Sequence, residues 1–215
     1  ILIIGGGICG SALLYTLCKY TNLKSLDILE KYSDIATITS HPFSNSQTLH
    51  FGDIENNYSK EMSKEVSASA ELIKNYLIKN DSENKIYAVY PKMLIGIGKD
   101  EINKINYRYN MIKDLFPKLK IIDYKQIEKI EPLVVKGRKN NEISALYTPD
   151  GYTIDFQALA KSFVKKALSS DKKVNLSLNR EVKDIKIKDK FFKVINSKGN
   201  ILAKTIVVDA GASTL

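Results

Sequence analysis

The chain has 215 residues, of which 44% are hydrophobic, and it carries a formal net charge of +9 at pH 7. This length and apolar content allow one or two domains with a buried core and exclude a disordered chain. No apolar run approaches the roughly 20 residues that a membrane-spanning helix needs, so we expect soluble globular material. Both ends of the sequence lie beside apolar strands, and we therefore expect a piece of a longer protein.

The first 30 residues have the pattern of a dinucleotide-binding βαβ unit. An apolar strand, Ile1 to Ile4, leads into Gly5, Gly7 and Gly10 in the spacing GxGxxG. A helix over 11–20 and a strand over 25–29 follow, and the acidic Glu30 ends that strand about 20 residues after Gly10, as this fingerprint requires. The first glycine permits a tight turn, the second lets the backbone approach a pyrophosphate, and the third lets the helix pack closely. This order favours cofactor binding over an ordinary glycine-rich turn.

The rest of the chain does not continue as a simple nucleotide-binding domain. A polar loop covers 33–57, and Asp155 is placed to cap a regular helix. Apolar spacing and turn residues predict, in chain order, a helix over 59–80, a strand over 86–97 interrupted at Pro91, a helix over 101–116, a short helix from Lys125 to Glu131-Pro132, a strand and turn over 147–152, a helix over 156–167, and strands at 174–178, 182–187, 191–195 and 205–208. The last strand is apolar throughout, as in a buried parallel sheet.

These elements predict an α/β fold in which a Rossmann-like domain contains an inserted α+β domain. We expect residues 1–58 and 151–215 to form the nucleotide-binding domain and residues 59–150 to form part of the second domain.

The positive charge comes almost entirely from lysine. Arginine occurs only at Arg108, Arg138 and Arg180, and the lysines are spread among Ile and Asn along the whole chain. Such a spread is typical of a solvated surface, so we expect no nucleic-acid partner. The basic segment 136–139 leaves a peripheral membrane contact open.

The cysteines and histidines predict neither a disulfide nor a metal site. Cys9 and Cys18 lie nine residues apart in or beside one helix, about 13 Å along its axis, which is too far to bridge. The two histidines, His41 and His50, lack a partner set at ligand spacing. A reducing intracellular compartment fits this cysteine usage.

Several of these residues together resemble a known family. The resemblance to FAD-dependent oxidoreductases of the D-amino-acid oxidase type is carried by Gly5 to Gly10, Glu30, Glu131-Pro132, Gly151 to Asp155, Val182, and Val207 to Gly211. Within that group, the loop Asn45 to His50, followed by Glu55, Asn57 and Tyr58, is similar to the signature loop of malate:quinone oxidoreductases. Lys92-Met93 and Arg108-Tyr109 are also similar to that family, whereas many members have glycines where this chain has Gln47 and Leu49.

The resemblance implies oxidation of malate to oxaloacetate, with electrons passing through FAD to a membrane quinone. It also implies an intracellular, membrane-associated enzyme, at the bacterial cytoplasmic membrane or the mitochondrial inner membrane. Such chemistry needs a base for the C2 hydroxyl proton, a flavin to accept the C2 hydride, and cations for two carboxylates.

The resemblance assigns site residues in three groups. The expected FAD contacts are Gly5, Gly7, Gly10, Glu30, Asn45, Ser46, Gln47, Thr48, Val182, Ala210 and Gly211. His50 is the candidate base, because an imidazole titrates near neutral pH. Arg108 and Lys92 are candidate substrate cations, although an exposed place on its helix is the simpler expectation for Arg108.

Two other functions remain open from the residues alone. A related FAD dehydrogenase could act on another 2-hydroxy acid such as 2-hydroxyglutarate. The basic charge could instead belong to a nucleic-acid-binding protein, although the sequence lacks the aromatic and basic interleaving of a known module.

Overall fold

The computed structural model describes residues 1–81, 83, 85–138 and 142–213. In chain order the elements are β1 (Leu2–Ile4), α1 (Ile8–Tyr20), β2 (Ser25–Leu29), β3 (Thr48–Leu49), α2 (Lys60–Asn80), β4 (Tyr87–Ile97), α3 (Gly98–Ile112), β5 (Lys120–Ile122), α4 (Tyr124–Ile130), α5 (Pro132–Val135), β6 (Ile143–Ile154), α6 (Phe156–Leu168), β7 (Lys173–Ser177), β8 (Val182–Lys188), β9 (Phe191–Asn196), β10 (Gly199–Ala203) and β11 (Ile206–Val208). The chain therefore mixes helices and strands, and its last five strands, β7 to β11, follow one another without an intervening α-helix. Among these described residues, no helix is both long enough and apolar enough to cross a bilayer.

The chain divides into two compact units. Residues 1–47 and 155–215 form the first unit, and residues 48–154 form the second. The sequence-based division had placed 48–58 and 151–154 with the first unit. They lie in the second because β3 pairs with the end of β6, Thr48 opposite Thr153 and Leu49 opposite Tyr152.

The first unit is built on a parallel sheet in the order β11-β1-β2-β7. One face buries Ile3 and Ile28 against Leu14 of α1 and Val164 of α6. The other face buries its apolar side chains against the antiparallel sheet β10-β9-β8, with Val194 at its centre. Both faces of the parallel sheet are covered, which explains why its strands are apolar without alternation.

The second unit is built on an antiparallel sheet in the order β3-β6-β4, with β5 also paired to β6. The sequence predicted a short strand and turn at 147–152, and this was wrong, since β6 runs unbroken from 143 to 154. Pro91 does not interrupt β4 either, because a shift of register between Tyr90 and Lys92 accommodates it. Proline lacks an N–H for the ladder, and a bulge is a position where that loss is tolerated.

Candidate functional site

A cavity of about 700 Å³ lies in the first unit at the carboxyl ends of β1 and β2. Its walls are the turn after β1, the first turn of α1, the segment 36–40, the start of β8 and the residues after β11. The volume falls within the roughly 300–1,000 Å³ typical of cofactor sites. Ligands of open α/β sheets bind in this place, outside the carboxyl ends of the strands.

Gly5 and Gly7 line this cavity, whereas Gly10 packs α1 against the turn without being one of the lining residues. Gly5 has a φ of +113°, and a Cβ there would lie 2.3 Å from the carbonyl oxygen of Asp209. A Cβ on Gly10 would lie 2.0 Å from the carbonyl oxygen of Gly5, so only glycine allows α1 to pack this closely on the turn. At Gly7 the nearest protein atom to a Cβ would be Ser40 Oγ at 3.9 Å, which leaves room for a ligand to approach the backbone.

The first turn of α1 begins at this cavity. Ser40 Oγ accepts a hydrogen bond from the Ile8 N–H at 3.2 Å. The other N–H groups of a first turn have no partner within the helix, and the positive end of the helix dipole favours an anion there. Gly7 and Ile8 line the cavity, so this helix terminus is placed to hold phosphate.

Glu30 lies at the end of β2 with 8% of its surface exposed. Its Oε2 accepts from the Gly6 N–H at 2.8 Å, and its Oε1 accepts from the Tyr32 N–H at 3.0 Å. An ionised carboxylate has about four acceptor positions, so Glu30 keeps capacity for ligand hydroxyls. It also lines the cavity, and the ribose contact expected of it stays a prediction.

A buried hydroxyl at the cavity points to a missing partner. Thr37 Oγ1 is buried without a hydrogen bond among the residues that the structure describes, and Thr37 lines the cavity. Buried polar groups in native structures are nearly always paired. Together with the space above Gly7, this hydroxyl fits a bound dinucleotide.

Three other expected contacts reach the same cavity. Val182 at the start of β8, Ala210 and Gly211 all line it. Sequence reasoning missed Thr37, Ser40 and Arg180, which line it as well. The hydroxyl side chains of Thr37, Thr39 and Ser40, which follow the fingerprint, were the available signal for the first two.

The loop residues 45–47 do not line this cavity. Asn45 donates through Nδ2 to the carbonyl oxygens of Thr39 and His41, and its Oδ1 accepts from the Gln47 N–H. Gln47 has a φ of +52°, whereas Leu49 lies in the extended strand β3. The hydrogen bonds of Asn45 therefore stabilise the loop itself. Thr48 is the first residue of the second unit. The FAD contacts expected of 45–48 stay predictions.

In the second unit His50 forms a close pair with a carboxylate. Its Nδ1 lies 2.6 Å from Glu55 Oε1, with 51% of the His50 side chain exposed and 11% of that of Glu55. Lys92 is also paired, since its Nζ lies 3.0 Å from Oδ1 of Asp53 and both side chains are nearly buried. The ammonium group expected to hold a substrate carboxylate therefore already has an anionic partner.

Arg108 is buried with 2% exposure, so the expectation of an exposed helix position was wrong. Its Nη2 donates to the carbonyl oxygen of Gly52 at 2.7 Å and to Ser63 Oγ at 2.8 Å, and its Nη1 donates to the carbonyl oxygen of Tyr58. Burial lowers the pKa of Arg108, while Glu55 and Asp53 raise it. Because both terminal nitrogens bind this chain's own groups, the geometry holds the loop 50–58 rather than forming a fork for a substrate.

The family model described as malate:quinone oxidoreductase (Mqo) matches residues 1–215. The chain belongs to the malate:quinone oxidoreductase family. It is 36% identical over 220 residues to a malate:quinone oxidoreductase of Helicobacter pylori, and 36% identical over 224 residues to a protein named probable malate:quinone oxidoreductase of Campylobacter jejuni.

These malate:quinone oxidoreductases are longer than this chain. All of the chain is covered in both comparisons, against 49% of the Helicobacter pylori protein and 50% of the Campylobacter jejuni protein. The chain thus spans about half the length of the curated relatives it matches.

Solved structures confirm the fold expected for this family. Glycine oxidase from Geobacillus kaustophilus matches 98% of the chain with a TM-score of 0.80 and 18% identity, over 55% of its own chain. L-alpha-glycerophosphate oxidase from Mycoplasma pneumoniae, solved with FAD bound, matches 97% with a TM-score of 0.74 and 21% identity, over 53% of its own chain. The Rossmann-like architecture of flavin-dependent oxidoreductases is therefore shared by this malate:quinone oxidoreductase family member.

Proposed function

We propose that this chain is the part of a malate:quinone oxidoreductase that binds FAD and contributes to the malate site. The observation that carries this proposal is the cavity beside Gly5, Gly7 and Glu30 in a chain that belongs to this family. The whole enzyme would oxidise malate to oxaloacetate and pass the electrons to a quinone.

Different residues of the cavity would contact different parts of the cofactor. The backbone at Gly5 and Gly7 and the first turn of α1 would hold the pyrophosphate, because unpaired N–H groups and the helix dipole favour anions there. Glu30 would accept hydrogen bonds from the adenosine ribose, the backbone at Val182 would meet the adenine, and residues 210–211 would close over the cofactor. Bound FAD would accept the two electrons that malate loses.

His50 is the group that we propose takes the C2 hydroxyl proton of malate. Half of its side chain is exposed, and its Nδ1 is paired with Glu55, so Nε2 is the ring nitrogen that would take the proton. A positioned base of this kind is worth roughly 10²–10⁴-fold in rate.

The proposed quinone partner also places the enzyme at a membrane surface, since long-tailed quinones partition into lipid. We propose a peripheral contact inside the cell, at the cytoplasmic or inner mitochondrial membrane. Lys136 and Arg138 of the basic segment are exposed, whereas Lys139 lies outside the described residues.

The decisive experiment is the absorption spectrum of the full-length protein. We expect flavin bands that bleach on addition of malate and return on addition of a soluble quinone analogue. Bleaching by 2-hydroxyglutarate with no response to malate would favour the related dehydrogenase instead. A colourless protein that binds RNA with steep salt dependence would contradict the proposal altogether.

A further inference from the structure

The loop 50–58 of the second unit is held rigidly at several points. Arg108 binds the carbonyl oxygens of Gly52 and Tyr58, while Lys92 pairs with Asp53. Gly52 packs so tightly that a Cβ there would lie 2.8 Å from the Cα of Ser63 on α2. Side chains carried by this loop are therefore preorganised, as groups that must hold a fixed geometry require.

Glu55 has an unusual place in that loop. Only 11% of its side chain is exposed, and its Oε1 is paired with His50 Nδ1. Its Oε2 is buried with no hydrogen-bond partner within the described part of the chain. A buried carboxylate is costly unless it is fully paired, so a purely structural role would be better served by another residue type.

The partner of this carboxylate is a group on the surface. His50 is 51% exposed and contacts Glu55 through Nδ1. When Glu55 is ionised it can only accept hydrogen bonds, and the 2.6 Å contact then places a proton on Nδ1. In the neutral ring the other nitrogen, Nε2, then has no proton and is an acceptor.

We infer that Glu55 is a positioning residue that fixes the ring orientation and the Nδ1–H tautomer of His50. This inference rests on the proposed function, in which the O–H bond of the C2 hydroxyl breaks and its proton goes to Nε2. Bound FAD would supply the acceptor for the electron pair of the C2–H bond, so that the C2–O bond can become a carbonyl. Glu55 stabilises the positive charge that the imidazole gains and touches neither substrate nor cofactor.

The test compares Glu55→Gln with Glu71→Gln in the full-length protein. Glu71 is the matched control, because it is also a glutamate of the second unit whose carboxylate is paired with a basic side chain, at 2.8 Å from Lys74, but lies outside the loop. The first measurement is the pair of ¹⁵N chemical shifts of the His50 ring without substrate, assigned with His50→Gln. We expect one protonated Nδ1 signal in the parent protein and in Glu71→Gln, and a mixture of tautomers in Glu55→Gln.

The second measurement separates kcat from KM for malate. For Glu55→Gln we expect kcat to fall at least tenfold with KM within twofold of the parent and FAD content unchanged, and for Glu71→Gln no change. Unchanged tautomer and unchanged kcat in Glu55→Gln would overturn the inference while leaving the proposed function standing. If the parent protein does not oxidise malate, the proposed function fails, and the proton-transfer role of His50 fails with it. The ¹⁵N shifts still decide whether Glu55 fixes the tautomer of the His50 ring.

Discussion

Arg108 on α3 donates a hydrogen bond of 2.7 Å to the carbonyl oxygen of Gly52, 56 residues earlier in the chain. Gly52 has a φ of +78°, a conformation that glycine adopts without strain. The guanidinium therefore joins α3, α2 and the loop that carries His50 and Glu55 within the second unit.

Arg108→Lys should destabilise the protein by about 2–4 kcal/mol, because a lysine cannot reproduce the planar fork that serves three acceptors, two of them in buried contacts. Thermal unfolding in the presence of a fixed FAD concentration measures this. Arg138→Lys is the matched control, since Arg138 is exposed and its Nε donates to a single carbonyl oxygen. Equal stability of the two variants would show that the buried contacts of Arg108 contribute little.

The helical spacing of α3 places Arg108 on the same face as its buried apolar residues. It lies three residues after Ile105 and four before Ile112, the other two buried residues of α3. A lone arginine in an apolar stripe normally suggests a surface position, because charged residues are seldom fully buried. The acceptors that make burial tolerable come from a loop 50 residues away, which no local pattern can reveal.

The nucleotide-binding unit could be predicted much more closely than the second unit. Its strand, glycine turn, helix and acid are local features, and β1 and β2 appear where the sequence places them. The edges of β6 were missed because its pairing with β3, β4 and β5 is long-range. The pairing of His50 with Glu55 is local, five residues apart, but it depends on the shape of an irregular loop that has no periodic sequence pattern.

Gly7→Ala and Gly10→Ala should separate cofactor binding from folding. The Cβ at Gly7 meets no protein atom closer than 3.9 Å, so stability should stay within about 0.5 kcal/mol while FAD affinity falls at least tenfold. The Cβ at Gly10 would lie 2.0 Å from a backbone oxygen and should cost about 1–3 kcal/mol or more. Flavin fluorescence titration and thermal unfolding give the two readouts. Normal FAD affinity in Gly7→Ala would place the pyrophosphate elsewhere.

Glu30→Gln should lower both stability and FAD affinity. The carboxylate accepts from two backbone N–H groups, and the amide nitrogen of glutamine would face one of these donors, at a cost of about 1–3 kcal/mol. Calorimetric titration with FAD compares it with Glu128→Gln, an exposed position on α4. If Glu30→Gln is destabilised but binds FAD as tightly as the parent, the carboxylate serves the turn and not the ribose.

Cys9 should react slowly with thiol reagents, and FAD should slow it further. Cys9 is an exposed residue, but partial desolvation of its thiol, followed by the charge of Asp209, raises the pKa of that thiol, so the reactive thiolate stays scarce until the pH approaches the raised value. The reaction with a disulfide reagent should therefore be slower than for a free cysteine at pH 8 and should accelerate as the pH rises. Cys9 lines the cavity at the first turn of α1, where bound FAD would cover it.

The measurement uses Cys18→Ser, because Cys18 is the other thiol of this chain, and Cys9→Ser provides the background rate. In the full-length protein, peptide mapping would identify the Cys9 adduct. A Cys9 rate that does not change when the flavin is removed and restored would contradict the position proposed for the pyrophosphate. A rate equal to that of free cysteine at pH 8 would show instead that the thiol is not shielded by its surroundings.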